Sequence, residues 1–524
     1  MASTEEDLRL TLETLQPVKT RSATGLNRLC ISISDLHFTD NSVGNQSSEE
    51  IVWAEFFADI ANTCDTQKID EVTLILDGDV VDMIRSDVWA KEGVYPWERD
   101  KDTFKDCLRS IMREIVRLHA TSADGFFNHL QQLPGKLKNT RLEVVTLLGN
   151  HDKEIFTDPV TLRMYYDECL GPKVANLSVE YRQWIGKMYF DDEQHFADRN
   201  SVPWLPFYWG DAELRVFITH GQWRDRENSL AFCPGNNLPG WNTGDGWRAK
   251  VWQQLNYAPF IEACFGDTVA AGALSTFIYR CKLKLSSQDD SQANVSRIKR
   301  VLDELDLYRP TSAAIARILQ ETRNKKTGEE LRDIIERELY ETLCLWLSWD
   351  YTLSSSPAWR RVAFRVVRAW LMLTGPLHMF RVQLHLVRGV LWLFDQIQNL
   401  LDVLGPSSVY REDGASFKNL QVFPTFHDLF LEQGFRLHGE GHTHVPLQSE
   451  ADIERSAESA PSRNFTYVNF GTWRDQLVTK EKKGYRRRGV GRSLYVLNLV
   501  NGEQPGYRFY VNDNLSWSDR MDQL

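Results

Sequence analysis

Short apolar runs alternate with helix-like stretches through the first part of the chain. The runs are rich in Ile, Val and Leu, and each ends in polar residues, as buried strands do. They span residues 29–34, 72–76, 144–148 and 214–219. Helices are predicted between them at residues 53–63 and 104–118. This alternation favours an α/β fold in which the ends of strands present the chemistry.

The pattern changes after the fourth run, where one predicted helix follows another. These helices span residues 295–307, 311–324, 329–349, 358–373 and 378–404. Strand-like runs return at residues 435–438, 465–470, 494–500 and 507–511. We therefore predict an α/β core with an insertion of ordinary domain size. The predicted segments are a polar tail at 1–24, the core at 25–224 and 427–524, and an all-helical insertion or cap at 225–426.

Composition and charge narrow the range of functions. The 524 residues are 42% hydrophobic and 25% charged, which is ordinary for a globular protein. A net charge of −11 argues against a nucleic-acid partner, because binding to a phosphate backbone requires a basic surface. The eight cysteines are scattered singly, as reduced thiols of an intracellular protein are. The acidic start is no secretory signal, and arginines interrupt the most apolar region, 358–404, so we expect a cytoplasmic protein.

Five short polar motifs stand in order along the chain, and four of them directly follow or close a strand-like run. They are Asp35-Leu36-His37, Gly78-Asp79-Val80-Val81-Asp82, Gly149-Asn150-His151-Asp152, His220-Gly221 and Gly441-His442-Thr443-His444. Residues two apart in a strand point the same way, so Asp35 and His37 are expected to grip one ion, and His442 and His444 share that spacing. Glycines beside the ligands let the backbone turn sharply.

Seven side chains in these motifs are candidate metal ligands. They are Asp35, His37, Asp79, Asn150, His220, His442 and His444. Carboxylates, imidazoles and one amide, without thiolates, suit Mn, Fe, Zn or Mg. Seven ligands are too many for one ion and fit two ions that share a carboxylate. With only two carboxylates among the seven, two dications would leave the site net positive and attract an anionic phosphate.

The ordered set DxH, GDxxD, GNHD, H and GHxH resembles the calcineurin-like metallophosphoesterase superfamily. The resemblance covers roughly residues 27–224 and 435–510, and it does not cover the helical insertion. It implies a four-layer β-sandwich flanked by helices. It also implies a metal-dependent phosphoric ester hydrolase with a binuclear centre, for which manganese is the first choice.

The resemblance also implies a role for each motif residue. The implied ligands are Asp35, His37 and His444 for the first ion, Asn150, His220 and His442 for the second, and Asp79 as the bridge. His151 would be the general acid or would contact the phosphate, oriented by Asp82. Many relatives read HGH at the fourth motif, where this chain has Gln222 as the third residue. His220 is taken as the ligand because a glutamine is a poor substitute.

The expected reaction is attack of a metal-bridged hydroxide on the phosphorus of a phosphoester or pyrophosphate, with the substrate selected by the helical insertion. The expected partner is an anionic phosphorylated substrate, either a small molecule or lipid-linked. Two alternatives remain open. One is a nuclease or cyclic-nucleotide phosphodiesterase, and the other is a non-enzymatic scaffold that docks to protein or membrane through the insertion.

Two basic patterns bear on these alternatives. In the insertion, Arg361, Arg365 and Arg368 form a helical stripe, and Arg381, His385 and Arg388 repeat its spacing. This stripe is either the solvated edge of a buried helical hairpin or a surface that meets a substrate phosphate or anionic lipid headgroups, peripheral to a membrane. A second basic run is predicted to be a hairpin loop. It consists of Lys480, Lys482, Lys483, Arg486, Arg487, Arg488 and Arg492.

Overall fold

The computed structural model describes most of the chain. The described residues are 14–15, 25–44, 50–171, 204–205, 207–211, 213–225, 227–230, 258–288, 293–309, 314, 317–318, 320–321, 328–356, 358–374, 435–444, 447–453, 463–479, 485–500 and 506–512. They form a mixed α/β structure with two mixed sheets, so the predicted α/β class is confirmed. The predicted helix at 378–404 lies outside the described residues, and the one at 311–324 lies partly outside.

The larger sheet is parallel at one end and antiparallel over the rest of its main strand order. Its strands follow the order β1 (Thr14–Leu15), β14 (Gly506–Asn512), β13 (Tyr485–Asn498), β2 (Arg28–Ile33), β3 (Glu71–Asp77) and β4 (Arg141–Leu147), with β12 (Thr472–Thr479) beside β13 and β8 (Tyr308–Arg309) beside β12. β2, β3 and β4 are parallel to one another, whereas β13 runs antiparallel to β2. All six residues of β2 are buried, as expected for a strand covered on both faces.

The smaller sheet joins the two parts of the predicted core. Its order is β10 (Leu447–Ile453), β11 (Arg463–Asn469), β9 (Leu437–Glu440), β7 (Val216–Ile218), β6 (Tyr208–Asp211) and β5 (Trp204–Leu205). β7, β9 and β11 are parallel, so the strands before the fourth and fifth motifs lie side by side. One continuous apolar core contains residues of both sheets.

Helices account for much of the remaining structure. They are α1 (Glu50–Thr66), α2 (Val88–Glu92), α3 (Phe104–His119), α4 (Phe126–Lys136), α5 (Pro159–Arg163), α6 (Ala258–Ile261), α7 (Phe265–Asp267), α8 (Thr276–Leu285), α9 (Ala293–Glu304), α10 (Glu329–Trp346), α11 (Asp350–Ser354) and α12 (Ala358–Thr374). Within α3, Phe104, Cys107, Leu108 and Ile111 are buried, which is the spacing of one apolar helix face. Among the described residues, no helix has both the length and the apolar character needed to cross a membrane.

The insertion is not all-helical, so this part of the prediction is wrong. The two-residue strand β8 lies within it and pairs in parallel with β12 of the core. A second apolar cluster joins the helices α8, α9 and α10 to Val43 and Leu477, which lie outside the insertion. A two-residue strand is too short to leave a periodic pattern in the sequence. It forms only because it pairs with a strand that is distant along the chain. The predicted tail likewise contributes β1, which pairs with β14.

The arginines of the second basic run lie in a strand rather than in the predicted hairpin loop, because β13 begins at Tyr485. Arg486, Arg487 and Arg488 lie in β13, opposite residues of β12, and Arg492 is buried. The three lysines of the run lie outside the described residues. Backbone hydrogen bonding continues the strands through this charged stretch, because it does not depend on side-chain polarity.

A buried charge cluster fastens the insertion to the core. Asp306, which is 3% exposed in its side chain, accepts a hydrogen bond from Arg474 Nη2 at 2.8 Å and forms an ion pair with Arg85. The Arg474 side chain is fully buried. A buried charge is stable only when it is paired, so each of these groups depends on the others.

Replacing Asp306 with asparagine should therefore lower the free energy of unfolding by about 3–5 kcal/mol, because it leaves buried arginine charge uncompensated. The matched control is Asp303→Asn, which removes an ion pair with Lys282. The Asp303 side chain is 47% exposed, so this pair lies near the surface. That change should cost about 0–1 kcal/mol. Denaturant unfolding of both variants measures the difference, and equal costs would show that Asp306 is not structurally essential.

Candidate metal centre

The five motifs meet where parallel strands of the two sheets end. The first three motifs follow β2, β3 and β4, and the last two follow β7 and β9. Ligand sites of α/β proteins lie at such carboxyl ends. The structure brings together all seven predicted ligands. Asp35, His37, Asp79 and His444 form the first ligand group, and Asp79, His220 and His442 form the second, with Asn150 beside His442.

The ligands converge through left-handed backbone rather than through strand alternation, so the predicted mechanism of convergence is wrong. β2 ends at Ile33, before Asp35 and His37. Of the eight non-glycine residues with positive φ in the described chain, five are candidate ligands. They are Asp35 (56°), His37 (49°), Asp79 (50°), His442 (68°) and His444 (56°). This conformation is uncommon for residues other than glycine and is concentrated at functional sites.

Close steric contacts explain why glycine occupies three positions of the motifs. A Cβ atom at Gly149 would lie 2.1 Å from Asp79 Oδ1, and one at Gly441 would lie 1.9 Å from Ser34 Oγ. Gly78 adopts a φ of +73°, and its Cβ would meet the His220 ring at 2.6 Å. Each distance is far inside van der Waals contact, so a larger residue would push a ligand side chain out of place.

The first ligand group is compact. His444 Nε2 lies 3.0 Å from both His37 Nε2 and Asp35 Oδ1, and His37 Nε2 lies 3.7 Å from Asp35 Oδ1. Adjacent ligands on one ion, with bonds of about 2.0–2.2 Å, are separated by about 3–3.5 Å. Two ring nitrogens 3.0 Å apart also require a proton or a cation between them, because their lone pairs repel. The donors therefore fit a divalent ion.

Asp79 belongs to both groups. Its Oδ2 atom lies 3.7 Å from His37 Nε2 in the first group and 3.4 Å from His220 Nε2 in the second. Its Oδ1 atom accepts a hydrogen bond from the backbone N–H of His151 at 2.8 Å. One oxygen is thus held by the protein, and the other faces both sets of imidazoles.

The second group also presents donors of the right kind. His220 Nε2 is buried and makes no hydrogen bond of good geometry among the described residues, which is the state of a nitrogen aimed at a metal. His442 Nδ1 lies 2.9 Å from Asn150 Oδ1, so the amide oxygen and this imidazole face the same point.

Three ligand imidazoles are oriented through their second nitrogen. His37 Nδ1 lies 3.1 Å from Asp82 Oδ2, and His220 Nδ1 donates to the carbonyl oxygen of Asp77 at 2.7 Å. His442 Nε2 lies 3.1 Å from Asp225 Oδ2. An acceptor at one ring nitrogen places the hydrogen there, which leaves the lone pair of the other nitrogen facing the ligand group.

The pKa values of the buried acids in the site are shifted in opposite directions. Burial would raise the pKa of the Asp35 carboxyl, but His444 and His220 hold it well below its usual range. Burial is likewise outweighed at Asp79, where His220 and His151 hold the pKa low. Burial raises the pKa of Asp77 well above its usual range and that of Asp152 to about 7. The carboxylates that face the imidazoles are therefore ionised, as metal ligands must be.

His151 lies beside the first ligand group and forms a third cluster of possible donors with His37 and Asp82. Its Nδ1 atom lies 3.0 Å from Asp82 Oδ1, and the same carboxylate holds His37 through its other oxygen. The His151 side chain is 12% exposed, whereas that of His37 is fully buried. Burial lowers the pKa of His151, although Asp82 and Asp79 raise it. The residues predicted as a pair, His151 and Asp82, are thus in contact.

Other residues hold the motif loops in register. Asp152 accepts hydrogen bonds from the backbone N–H groups of Gly149 and Val80, at 2.7 and 3.1 Å, which ties the third motif to the second. Asn469 Nδ2 donates to the carbonyl oxygen of Gly441 at 2.7 Å. Gln222 Nε2 donates to the carbonyl oxygen of Leu148 at 2.8 Å. The glutamine at the fourth motif thus has a structural contact outside both ligand groups.

Sequence reasoning missed Asp225 and Lys153. Asp225 is the first residue of the predicted insertion, and no motif contains it. Lys153 follows the third motif, is 2% exposed, and donates through Nζ to Asn150 O at 2.8 Å and Asp267 Oδ1 at 2.9 Å. The position of a charged residue directly after the third motif could have indicated a role for Lys153. Nothing in the sequence indicated that its partner would be Asp267 of α7.

Comparisons with known proteins identify no relative of this chain. No protein-family model, curated protein or solved structure matches the chain.

The contact between His442 and Asp225 predicts a selective effect on metal binding. Asp225→Asn should weaken binding at the second ligand group by about 10–100-fold, because the carboxylate orients the imidazole, and should spare the first group. Titration with a divalent metal ion in an isothermal calorimeter measures the two binding steps, one for each ligand group. The control is Asp65→Asn, at an aspartate with a 68% exposed side chain. Equal weakening of both steps would contradict the assignment.

Proposed function

We propose that the chain is a two-metal phosphohydrolase of the calcineurin-like metallophosphoesterase superfamily. In this proposal the two sheets correspond to the family's β-sandwich, and the insertion forms a cap that selects the substrate. The substrate is an anionic phosphoester or pyrophosphate. Free thiols support a cytoplasmic location, since the seven described cysteines are unpaired and six of them are buried.

The position of Asp79 carries the proposal. A buried carboxylate between two groups of imidazoles is the arrangement that a bridging ligand requires, and the chain strains its backbone at five ligand positions to build it. Strain of this kind persists at functional sites, where the surrounding structure enforces it. Two divalent cations held by these residues, with manganese the first choice, would supply Lewis-acid activation of a phosphoryl oxygen and of a water molecule.

The chain's own residues supply the remaining chemistry. Asp82 faces Nδ1 of His151, which leaves Nε2 to meet the substrate. A proton carried at Nε2 can pass to the leaving oxygen as the bond to phosphorus breaks, and Asp82 stabilises the imidazolium form. The His151 side chain is 12% exposed, which gives a substrate access to it.

Two further carboxylates lie close to the ligand groups. Asp82 and Asp225 contact ligand imidazoles, and neighbouring imidazoles outweigh burial to hold their pKa values low. Arg85 lies 3.6 Å from Asp82 and offsets part of this negative charge. Together with Asp35 and Asp79, these acids would reduce the positive charge that two dications bring to the site, and direct coordination would then add to the attraction of the phosphate.

Asp79→Asn tests the bridge. The amide keeps the shape of the side chain but removes the charge that faces both groups, so we expect both ions to be lost and hydrolysis to fall with them. His444→Ala, which removes a ligand of the first group alone, should retain the second ion. Elemental analysis of the purified variants measures occupancy, and chelation of the wild type should abolish turnover. Full activity of chelated Asp79→Asn protein would end the two-metal proposal.

His151→Ala separates binding from chemistry. Metal content should stay near that of the wild type, because His151 belongs to neither ligand group. Turnover of a chromogenic phosphoester should fall by about 10²–10⁴-fold, the usual contribution of a positioned acid or base. Loss of metal together with activity would show that His151 is a ligand and that its assigned role is wrong.

A further inference from the structure

Exposed apolar side chains are concentrated on α12. Eight large apolar side chains are exposed among the described residues, and four of them lie on this one helix. They are Val362 (61% exposed), Val366 (64%), Met372 (60%) and Leu373 (77%). Their spacing places them on one side of the helix, together with the exposed Ala369. Contiguous exposed apolar patches mark interaction sites rather than ordinary surface.

The opposite side of α12 is anchored. Phe364 is 3% exposed and Leu371 is fully buried, and both belong to an apolar cluster with Phe265 and Trp346. Arg360 donates two hydrogen bonds to the Glu227 carboxylate, at 2.7 and 3.0 Å. The helix is therefore fixed in place, and its exposed side is a stable feature of the surface.

A basic stripe borders the apolar side. Arg361, Arg365 and Arg368 each precede an apolar or alanine position of the exposed side by one residue, so their stripe runs directly beside it. Arg365 is exposed, and Arg361 and Arg368 are partly exposed. Neither Arg365 nor Arg368 pairs with a carboxylate among the described residues. The helix contains no acidic residue, in a chain whose net charge is −11.

We propose that this exposed side of α12, with its arginine stripe, docks on the surface of an anionic phospholipid bilayer. We call it the docking face, defined by Val362, Val366, Ala369, Met372 and Leu373 with Arg361, Arg365 and Arg368. An amphipathic helix with arginines beside an apolar side lies in the plane of the membrane interface. Its apolar residues enter the acyl boundary, and Arg365 and Arg368 extend their stems over apolar surface to reach the headgroups. Arg361 donates to the backbone carbonyl oxygens of Ser356 and Ser354, so it borders the face without reaching as far.

Charge favours a bilayer over a second copy of the chain. A symmetric contact would place the arginine stripe of one copy against that of the other, and like charges in the contact would repel each other. Anionic headgroups complement the stripe instead, and each arginine near such a surface strengthens binding by about fivefold.

A short chain of contacts links the docking face to the metal centre. Arg360 holds Glu227, whose backbone N–H donates to Asp225 Oδ1 at 2.9 Å, and Asp225 in turn contacts His442. A docked helix would therefore keep the site close to the membrane surface. Docking itself does not depend on hydrolysis, so it stands or falls separately from the proposed function.

Vesicle flotation with the full-length protein tests the proposal. Wild-type protein should float with vesicles of phosphatidylcholine and phosphatidylglycerol at low salt, and not with vesicles of phosphatidylcholine alone. The double variant Arg365→Glu, Val366→Glu should bind the anionic vesicles at least about tenfold more weakly, because it removes one arginine and one apolar contact. Its hydrolysis of a soluble chromogenic phosphoester should match that of the wild type.

The matched control is Leu283→Glu, Lys284→Glu on α8, where Leu283 is 56% exposed. It makes the same change in net charge at another exposed apolar and basic pair, and it should bind vesicles as the wild type does. Failure of the wild type to bind anionic vesicles, or equal loss in the control, would overturn the proposal.

A lower melting temperature of the α12 variant would show that another part of the chain covers the face. A change in its oligomeric state would identify a second copy as the occupant, and either result overturns docking on lipid.

Discussion

The carboxylate of Asp79 is the contact on which the arrangement of the site depends. One oxygen is held by the backbone of the third motif, and the other faces imidazoles from the first and fourth motifs. Three loops from strands of different sheets therefore meet at a single side chain. The missing Cβ of Gly149 allows the loop of the third motif to approach that close. The parallel strands make this contact possible, because their carboxyl ends lie together at the same edge of the sheets.

The sequence predicted the strands and the candidate ligands because both leave local signals. Apolar runs ending in polar residues indicated β2, β3 and β4, and the motif residues then fell at their ends. The left-handed backbone at Asp35 and His37 was not predictable, because residue type alone rarely reveals a positive φ. The contacts of Asp306 and Asp225 were also missed, because they join residues more than 150 positions apart. No periodicity or motif records such pairings.

Left-handed backbone at ligand positions has an energetic cost of about 1–3 kcal/mol for each residue. The surroundings offset it through hydrogen bonds to the same loops. The side chain of Thr472 and the backbone N–H of Trp473 both donate to the carbonyl oxygen of Asp35, at 2.8 and 3.2 Å. Asn469 fixes the last motif through Gly441. A bound cation would add to this stabilisation, so ligand geometry and fold stability support each other.

The pairing of β2 with β13 has a consequence for how the chain is made. β2 is among the first strands to leave a ribosome, whereas β13, its neighbour on one side, is among the last. Until β13 is translated, β2 is an open edge of buried apolar residues with unpaired backbone groups. Such an edge can join the same edge of another nascent chain. Crowding of polysomes should therefore limit the yield of folded protein, and a chaperone that shields this edge should raise it.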